Sequence, residues 1–491
     1  MDLHDQATQE GTSPMKPHIQ QLGFLFLAGL MLTPLATPQS AAQDKARVKP
    51  NILLIVSDDH GYGDVGAYGC RDIPTPHMDS LAANGVRFTS GYVSGPYCSP
   101  TRAGLMTGRY QTRFGHEFNP GPAEAAVKAF GLPLTETALP QKLKAAGYTT
   151  GMVGKWHLGY EPDFHPMSRG FDEFFGFLGG AHSYVKGNGG KAKQNQAGNA
   201  ILRGREPADE TEYLTDAFKR EAVSFIDRHA KEQWFLYLPF NAVHSPMDAA
   251  ERYADRFPDL KGGRKTYATM LTSMDDAIGA VLAKLREHKL EENTLVLFVA
   301  DNGGPEANNS SDNGPLRGAK ASTWEGGIRV PFMIQWKGTL PAGKVFDQPV
   351  IQLDLHTTAL AAAGIEPRPE WKLDGVDLAP YIKGDKSGAP HEALYWRFGQ
   401  QMAIRMGDWK LVRAVGAGDG AKGGGQRKSG IQDLAGAQLY NLEDDIGEST
   451  DLADKEPARL QQLAEAWAEW NKGNAEPLWI PAARNAKKKK N

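Results

Sequence analysis

Five short apolar runs give way to polar residues at their C-terminal ends: NILLIVSDDHG from Asn51, TTGMVGKWHLG from Thr149, WFLYLPFNAVHSP from Trp234, TLVLFVADNGG from Thr294 and VPFMIQW from Val330. Stretches of amphipathic, helical spacing lie among them, at Thr135 to Ala146, Tyr213 to Ala230 and Tyr267 to His288. Runs that are apolar almost throughout belong to strands buried on both faces. Their alternation with helical patterns predicts an α/β fold, a large, mixed, mostly parallel sheet sandwiched by helices. The texture changes after about Gly388, where ALYWRFG and MAIRMGDWKLVRA read as neighbouring antiparallel strands and Pro457 to Asn471 as a late helix. These features predict a main domain over residues 43–388 and a smaller C-terminal α+β domain, with its own antiparallel sheet, over residues 389–491.

In an open parallel sheet, ligands bind outside the carboxyl ends of the strands. The residues that close four of the runs therefore arrive together: Asp58 and Asp59, Lys155 and His157, His244, and Asp301 and Asn302. Carboxylates gathered at one edge repel each other unless a cation sits among them, and ligands that are all oxygen favour calcium or magnesium over zinc. An acid pair taken alone is equally well explained by helix capping or by solvent. Two acid-bearing strand ends in one sheet favour the metal. Arg102, Lys155, His157, His244 and Lys320 would surround that ion with positive and proton-donating groups, a set suited to an anionic ligand and to protonating a departing oxygen. Taken singly, His244 reads as a hydrogen-bonded loop histidine and Lys320 as a solvated lysine.

The 491 residues, 41% hydrophobic and 23% charged, suffice for a large core with an accessory domain. A formal net charge of −3 provides no global basic field of the kind that attracts nucleic acid or anionic lipid. Near the N-terminus, KPHIQQLGFLFLAGLMLTPLATPQSAAQ has a basic start, an apolar stretch from Leu22 to Leu35 and small residues around Ser40 to Ala42. That is the order of a secretory signal peptide over residues 1–42, with Met15 an alternative start. The apolar stretch is short for a membrane span, and Pro34 and Pro38 break its end, so the expectation is an exported protein, periplasmic or secreted, without a stable membrane anchor. Export permits disulfides, and a bridge between the two cysteines, Cys70 and Cys98, is one reading. Against it, CSPTRAGLMTGRY opens a helix with Pro100 in the first turn, which sets residue 98 at a helix N-terminus where an anionic nucleophile is favoured. A soft thiolate is a poor match to a hard-cation site, so an ordinary cysteine there is physically awkward. Cys70, in YGCRDIP, then reads as a free thiol without a role. KGNGGKAKQNQAGN from Lys186 and GAGDGAKGGGQRKSG from Gly416 read as surface loops, and the closing KKKK as a solvated tail.

CSPTRAGLMTGRY resembles the signature of type I sulfatases, in which Cys-x-Pro-x-Arg directs enzymatic oxidation of the cysteine to formylglycine, or 3-oxoalanine. The resemblance extends through PNILLIVSDDHGYGDVGAYG, GKWHLG, FVADNGG, LRGAKASTWEGGIRVP and LYNLEDDIGESTDLA, in the family's order over nearly all of the chain that follows residue 42. It implies an alkaline-phosphatase-like fold, a formylglycine-generating enzyme as partner in maturation, and hydrolysis of a sulfate monoester with release of inorganic sulfate. It also implies that Cys98 becomes formylglycine, whose hydrate attacks sulfur, and that Asp58, Asp59, Asp301 and Asn302, with the modified residue 98, hold calcium. Arg102 would steady the hydrate, His157 would hydrogen-bond it, Lys155 and Lys320 would grip sulfate oxygens, and His244 would protonate the departing alcohol. Asp301 would take the proton whose loss expels sulfate. Likeness to the arylsulfatase and N-acetylgalactosamine-6-sulfatase group implies a sulfated sugar as substrate, with aryl sulfates as convenient assays. The alternatives are a phosphonate monoester or phosphodiester hydrolase of the same superfamily, and an exported carbohydrate-binding protein without turnover. His60, Tyr62 and Arg109 read as hydrogen-bonding support, and His182 in GGAHSYVKG as a loop residue that contacts either substrate or its own loop.

Overall fold

A computed structural model describes residues 49–121, 130–185, 200–414 and 436–479; the expected signal peptide, both glycine-rich stretches and the basic tail lie outside the described residues. The strands of the larger part are β1 (Asn51–Ser57), β2 (Val86–Phe88), β3 (Gly91–Tyr92), β4 (Thr149–Lys155), β5 (Glu173–Phe177), β6 (Leu202–Arg203), β7 (Glu206–Pro207), β8 (Trp234–Pro239), β9 (Thr294–Ala300), β10 (Phe332–Gln335), β11 (Lys344–Phe346) and β12 (Val350–Ile351). A second set follows, β13 (Leu394–Phe398), β14 (Gln401–Met406), β15 (Trp409–Arg413) and β16 (Gln438–Asn441). The helices are α1 (Pro76–Ala83), α2 (Cys98–Thr107), α3 (Leu139–Ala145), α4 (Leu214–His229), α5 (Gly262–Glu287), α6 (Glu325–Ile328), α7 (Leu353–Ala362), α8 (Ala379–Lys383) and α9 (Pro457–Lys472).

Ten strands form one mixed sheet in the order β11-β2-β10-β9-β1-β8-β4-β5-β6-β7, and β13 to β16 form a separate antiparallel sheet. The centre of the large sheet is parallel: β1 lies between β9 and β8, with Ile52 beside both Leu295 and Phe235, and β4 continues from β8 to β5. The apolar run from Val330 departs from the parallel expectation. It enters as β10, antiparallel to β9, with Phe332 opposite Val299. The chain that leaves β9 comes back beside it at the same end, with only the four-residue α6 on the way and no crossover helix to carry it across the sheet.

Period-two alternation sends successive side chains of the central strands to opposite faces. Leu53, Ile55, Leu236, Leu238, Val296 and Phe298 pack with Phe218 and Phe225 of α4 and Met270 and Met274 of α5. Ile52, Leu54, Phe235, Tyr237 and Leu297 face the other way, into one cluster with Leu105 of α2, Leu353 of α7, and Trp396, Ile404 and Leu411 of the small sheet. Trp396 is the largest side chain at that seam; it is fully buried and its Nε1–H donates to the Val93 carbonyl at 2.7 Å. Trp396→Ala is expected to lower unfolding stability by about 3–5 kcal/mol, read as a fall in the urea midpoint, because a large cavity opens beneath both sheets.

Local departures from the expected boundaries have local causes. The helix expected from Thr135 begins at Leu139, with Pro140 in its first turn, after a turn in which Glu136 N–H donates to the Pro133 carbonyl at 3.0 Å. MAIRMGDWKLVRA divides into β14 and β15 because Gly407, at φ 57°, reverses the chain. Cys70 and Cys98 are both free thiols, so the bridge between them is not made, and Cys70 Sγ donates instead to Asp72 Oδ1 at 3.3 Å. Among the described residues no helix is long and apolar enough to cross a membrane.

Candidate active site

The parallel ladder extends past the strand ends. Asp58 N–H donates to the Ala242 carbonyl at 2.9 Å, Val243 N–H to the Asp58 carbonyl at 2.7 Å, and Asp301 N–H to the Ser57 carbonyl at 2.9 Å. The segments leaving β1, β8 and β9 are therefore held side by side, and β4 ends in Lys155 itself. Asp58, Asp59, Lys155, His157, Asp301 and Asn302 are all buried. Asp59 (φ 56°) and His157 (φ 60°) leave their strands in the left-handed region, an uncommon and strained conformation for such residues that concentrates at functional sites. Asn309, which no sequence pattern singled out, holds the carbonyls of Asp59 and Val243 through its Nδ2 at 3.0 and 3.2 Å.

Helix α2 delivers Cys98. Tyr97 is its extended N-cap (φ −149°, ψ 150°), and Gly108 (φ 73°) closes it with an N–H donated to the Gly104 carbonyl at 2.8 Å. The short polar residues of the motif anchor this first turn. Ser99 Oγ donates to the His157 carbonyl at 2.7 Å and lies 2.6 Å from His116 Nε2, while Thr101 Oγ1 donates to the Gly95 carbonyl at 2.6 Å. Arg102 spans the site: Nε and Nη2 donate to Asp301 Oδ2 at 3.0 and 2.8 Å, and Nη1 donates to the Lys155 carbonyl at 2.9 Å. The guanidinium thereby ties an acid of one strand end to the backbone of another.

At the centre, Cys98 Sγ donates to Asp58 Oδ1 at 3.6 Å and accepts from Lys320 Nζ at 3.3 Å. Lys155 Nζ pairs with Asp58 Oδ2 at 2.5 Å, and Lys320 Nζ with Asp59 Oδ1 at 2.5 Å, so the reading of Lys320 as a solvated lysine is set aside. His244 Nδ1 lies 2.5 Å from the Ser245 carbonyl, which accepts a proton held there; Nε2, 3.6 Å from Asp59 Oδ2, is left to exchange a proton with a ligand. Ligand atoms of Asp58, Asp59, Cys98 and His244 lie within 4.8 Å of one another. Asn302 joins them by donating Nδ2–H to Asp59 Oδ1 at 2.8 Å, and Asp301 by accepting the Asp59 N–H on Oδ1 at 3.4 Å.

Asn302 Oδ1 is buried and accepts no hydrogen bond. A buried amide oxygen without a donor is costly, and beside carboxylates it is the kind of ligand a hard cation takes. The residues present therefore fit such an ion. The carboxylates of Asp58, Asp59 and Asp301 are paired one for one with the basic side chains of Lys155, Lys320 and Arg102. A divalent ion added to that balance makes the site net positive, which suits an anionic ligand.

Burial alone would raise the Asp58 carboxyl, yet Lys155, His244, Arg102 and Lys320 hold it well below the usual carboxylate range. Burial and the neighbouring Asp58 charge push Asp301 up to about 6. Burial pushes the Cys98 thiol up to about 12, a rise that Lys155 and Lys320 only partly oppose. The expected anionic sulfur at the helix terminus is thus corrected: desolvation outweighs the helix N-terminus, and the unmodified thiol is neutral at pH 7. Burial, then Lys155 and Arg102, lower His157 well below its ordinary value, so its imidazole is neutral, and its buried Nδ1 has no hydrogen-bond partner.

The remaining candidates make other contacts. His60 Nδ1 is 3.0 Å from Ser57 Oγ, Tyr62 donates to the Thr89 carbonyl at 3.0 Å, and Arg109 Nη1 reaches both Glu136 oxygens at 2.9 and 2.7 Å. His182 bonds within its loop, Nδ1 lying 2.6 Å from the Ser183 carbonyl.

The sulfatase family model matches residues 50–365 of the chain. N-acetylgalactosamine-6-sulfatase of Sus scrofa is 36% identical over 383 residues, which cover 74% of this chain and 71% of that protein. Arylsulfatase G of Rattus norvegicus is 30% identical over 496 residues, covering 90% and 91% respectively. The crystal structure of Ps i-CgsB in complex with k-i-k-neocarrahexaose matches with a TM-score of 0.79 at 37% identity, over 88% of this chain and 95% of that one.

Proposed function

Because the chain belongs to the sulfatase family and is a sulfuric ester hydrolase, we propose that it acts on a sulfated carbohydrate, with residue 98 converted to formylglycine and calcium held by Asp58, Asp59, Asp301 and Asn302. The observation that carries this reading is the meeting of Cys98 Sγ with Asp58 Oδ1 and Lys320 Nζ in a buried site, which sets the nucleophile position between a cation-binding acid and an anion-binding base. Carbohydrate is favoured because the Sus scrofa relative is named N-acetylgalactosamine-6-sulfatase and Ps i-CgsB was solved with a neocarrahexaose. The leader-like N-terminus adds export, periplasmic or secreted, and a formylglycine-generating enzyme is the partner in maturation.

When present, the aldehyde hydrate supplies the attacking oxygen and the divalent ion supplies positive charge for the sulfo group. The chain's own residues do the rest. Lys155 and Lys320 bind sulfo oxygens, Lys320 from 3.3 Å off residue 98. His157, neutral and with a buried Nδ1 that has no partner, would hydrogen-bond the hydrate without adding charge. His244, whose Nδ1 proton is fixed by the Ser245 carbonyl, donates from Nε2 to the departing alcohol oxygen only as the imidazolium; burial lowers its pKa against the opposing charges of Asp59 and Asp58, so Nε2 takes up a proton from solvent before the alcohol leaves. Arg102 occupies Oδ2 of Asp301, so the proton given up at residue 98 when sulfate leaves would go to Oδ1, which also accepts the Asp59 N–H at 3.4 Å.

Two measurements test this. Mass spectrometry of the peptide containing residue 98, from a maturation-competent host, should show the aldehyde, and a panel of sulfated mono- and oligosaccharides should release inorganic sulfate. Full activity with only unmodified cysteine would remove the mechanism. Faster cleavage of an aryl phosphonate ester than of the matching aryl sulfate would move the enzyme to the phosphonate side of the superfamily. Failure to turn over any sulfate ester, despite aldehyde and bound calcium, would leave a carbohydrate-binding protein.

A further inference from the structure

Lys320 lies in an irregular segment between Arg317 and α6, and the contacts that fix that segment come from far along the chain. Glu448, in the turn after β16, is fully buried and left-handed (φ 50°). Its side chain accepts the Glu325 N–H on Oε2 at 2.8 Å, at the start of α6, while its backbone carbonyl accepts Arg317 Nη1 at 2.7 Å. One residue of the C-terminal part therefore grips both ends of the segment that carries the lysine. The grip is reinforced on each side. Lys410 Nζ of β15, 0% exposed, lies 2.8 Å from Glu325 Oε1 and 2.8 Å from Glu448 Oε1, and Arg317 stacks 3.8 Å above the Trp324 ring. Between the ends, Gln401 of β14 donates to the Ala321 carbonyl at 2.8 Å and accepts the Thr323 N–H at 3.2 Å.

Burying a lysine and two carboxylates in full costs several kcal/mol per ion before pairing repays it, and such groups are strongly destabilising only when one partner is removed. They are not the sheet's one tie to the rest of the fold, because β13 to β16 also join the main apolar core through Trp396, Ile404 and Leu411. What the charges add is position. They meet at the backbone of α6, five residues after a lysine whose Nζ must stay within bonding distance of both Asp59 and residue 98. A displacement of about 1 Å in such a group can cost about a hundredfold in rate.

We propose that Glu448 is a positioning residue for Lys320, through which the C-terminal sheet sets the geometry of the sulfo-binding side chain. This rests on the reading that Lys320 grips the sulfo group. The test is a double-mutant cycle on the full, matured, calcium-loaded enzyme, with kcat and KM measured on 4-nitrophenyl sulfate and with unfolding midpoints recorded for every variant. Glu448→Ala should lower kcat/KM by about ten- to a hundredfold, the range expected of coupled neighbours. In a Lys320→Ala background the same substitution should change it by less than about threefold. Glu448→Gln, which keeps an oxygen for the Glu325 N–H, should recover most of the loss. Should Glu448→Ala fail to fold, Arg317→Ala releases the other end of the segment and takes its place in the cycle with the same expectation. Losses that simply multiply with Lys320→Ala would overturn the proposal, since a general structural role does not depend on that lysine. Unchanged kinetics in Lys320→Ala alone would overturn it differently, by removing the sulfo-binding role of Lys320 on which it rests.

Discussion

Replacing Cys98 with alanine is expected to lower turnover of a sulfate ester by on the order of 10⁴-fold or more, while the unfolding free energy changes by no more than about 1 kcal/mol. The two effects separate because the sulfur supports so little of the structure. Its partners are Lys320 Nζ, which has a shorter contact with Asp59 Oδ1, and Asp58 Oδ1, whose carboxylate is held through its other oxygen, Oδ2, by Lys155. The helix is capped at residue 97, not 98, and alanine is a better helix former than cysteine. Cys98→Ser should behave the same way: the hydroxyl can keep the Lys320 hydrogen bond, but it cannot be oxidised to an aldehyde by the route open to a thiol. Steady-state sulfate release and urea denaturation, run on the same preparations, check both halves. Near-normal turnover by Cys98→Ser would show that a simple hydroxyl suffices, and the aldehyde chemistry would then have no place in this enzyme.

The strand ends that build the site were readable because each follows an unbroken apolar run. In β1, β4, β8 and β9 the polar residues that close the run mark both where the sheet stops and what it presents to the site. The direction of β10 was not readable. A strand buried on both faces has the same composition whichever way it runs, and only the missing crossover helix, a tertiary fact, decides it. Strands as short as β3, β6 and β7 carry no period to detect. Among site residues, Arg102 was legible from the motif, but its partners Asp301 and the Lys155 carbonyl stand far away in the chain and are set by topology. Asn309 and Glu448 act through backbone groups of distant segments, and contacts of that kind leave no local pattern. The segment LYNLEDDIGESTDLA was visible as a motif, yet its connection to Lys320 depends on which sheet lies over which loop. Cys98 shows the opposite failure: local rules for a helix N-terminus favoured a thiolate, and burial, a property of the whole fold, reversed the sign.

Chelating the divalent ion that the proposed function calls for should sharply lower turnover and lower stability together. Without it, Asp58 and Asp59 are neutralised by Lys155 and Lys320 at 2.5 Å, so the same lysines that would bind sulfate are engaged with the acids. An ion taken up by Asp58, Asp59, Asp301 and the otherwise unsatisfied Asn302 Oδ1 relieves that competition and frees positive charge for the ligand. Binding of calcium and of the sulfo group are therefore expected to assist each other. Exhaustive chelation should cut kcat/KM by on the order of a hundredfold to a thousandfold, the scale of losing an oxyanion-stabilising group in a dry site. Calcium restored at about a hundred times its Kd should raise unfolding stability by about 2.7 kcal/mol. A readout independent of activity comes from titration calorimetry of the chelated protein with calcium chloride. A binding isotherm is expected for the unsubstituted chain, a weaker one for Asn302→Ala, and none for Asp59→Ala. Inorganic sulfate should bind more tightly to the calcium-loaded protein than to the chelated one, and by linkage calcium more tightly in the presence of sulfate. Elemental analysis showing no divalent metal in a fully active preparation, together with a flat titration, would mean that the lysines bind sulfate without an ion and that the acids serve only to hold them.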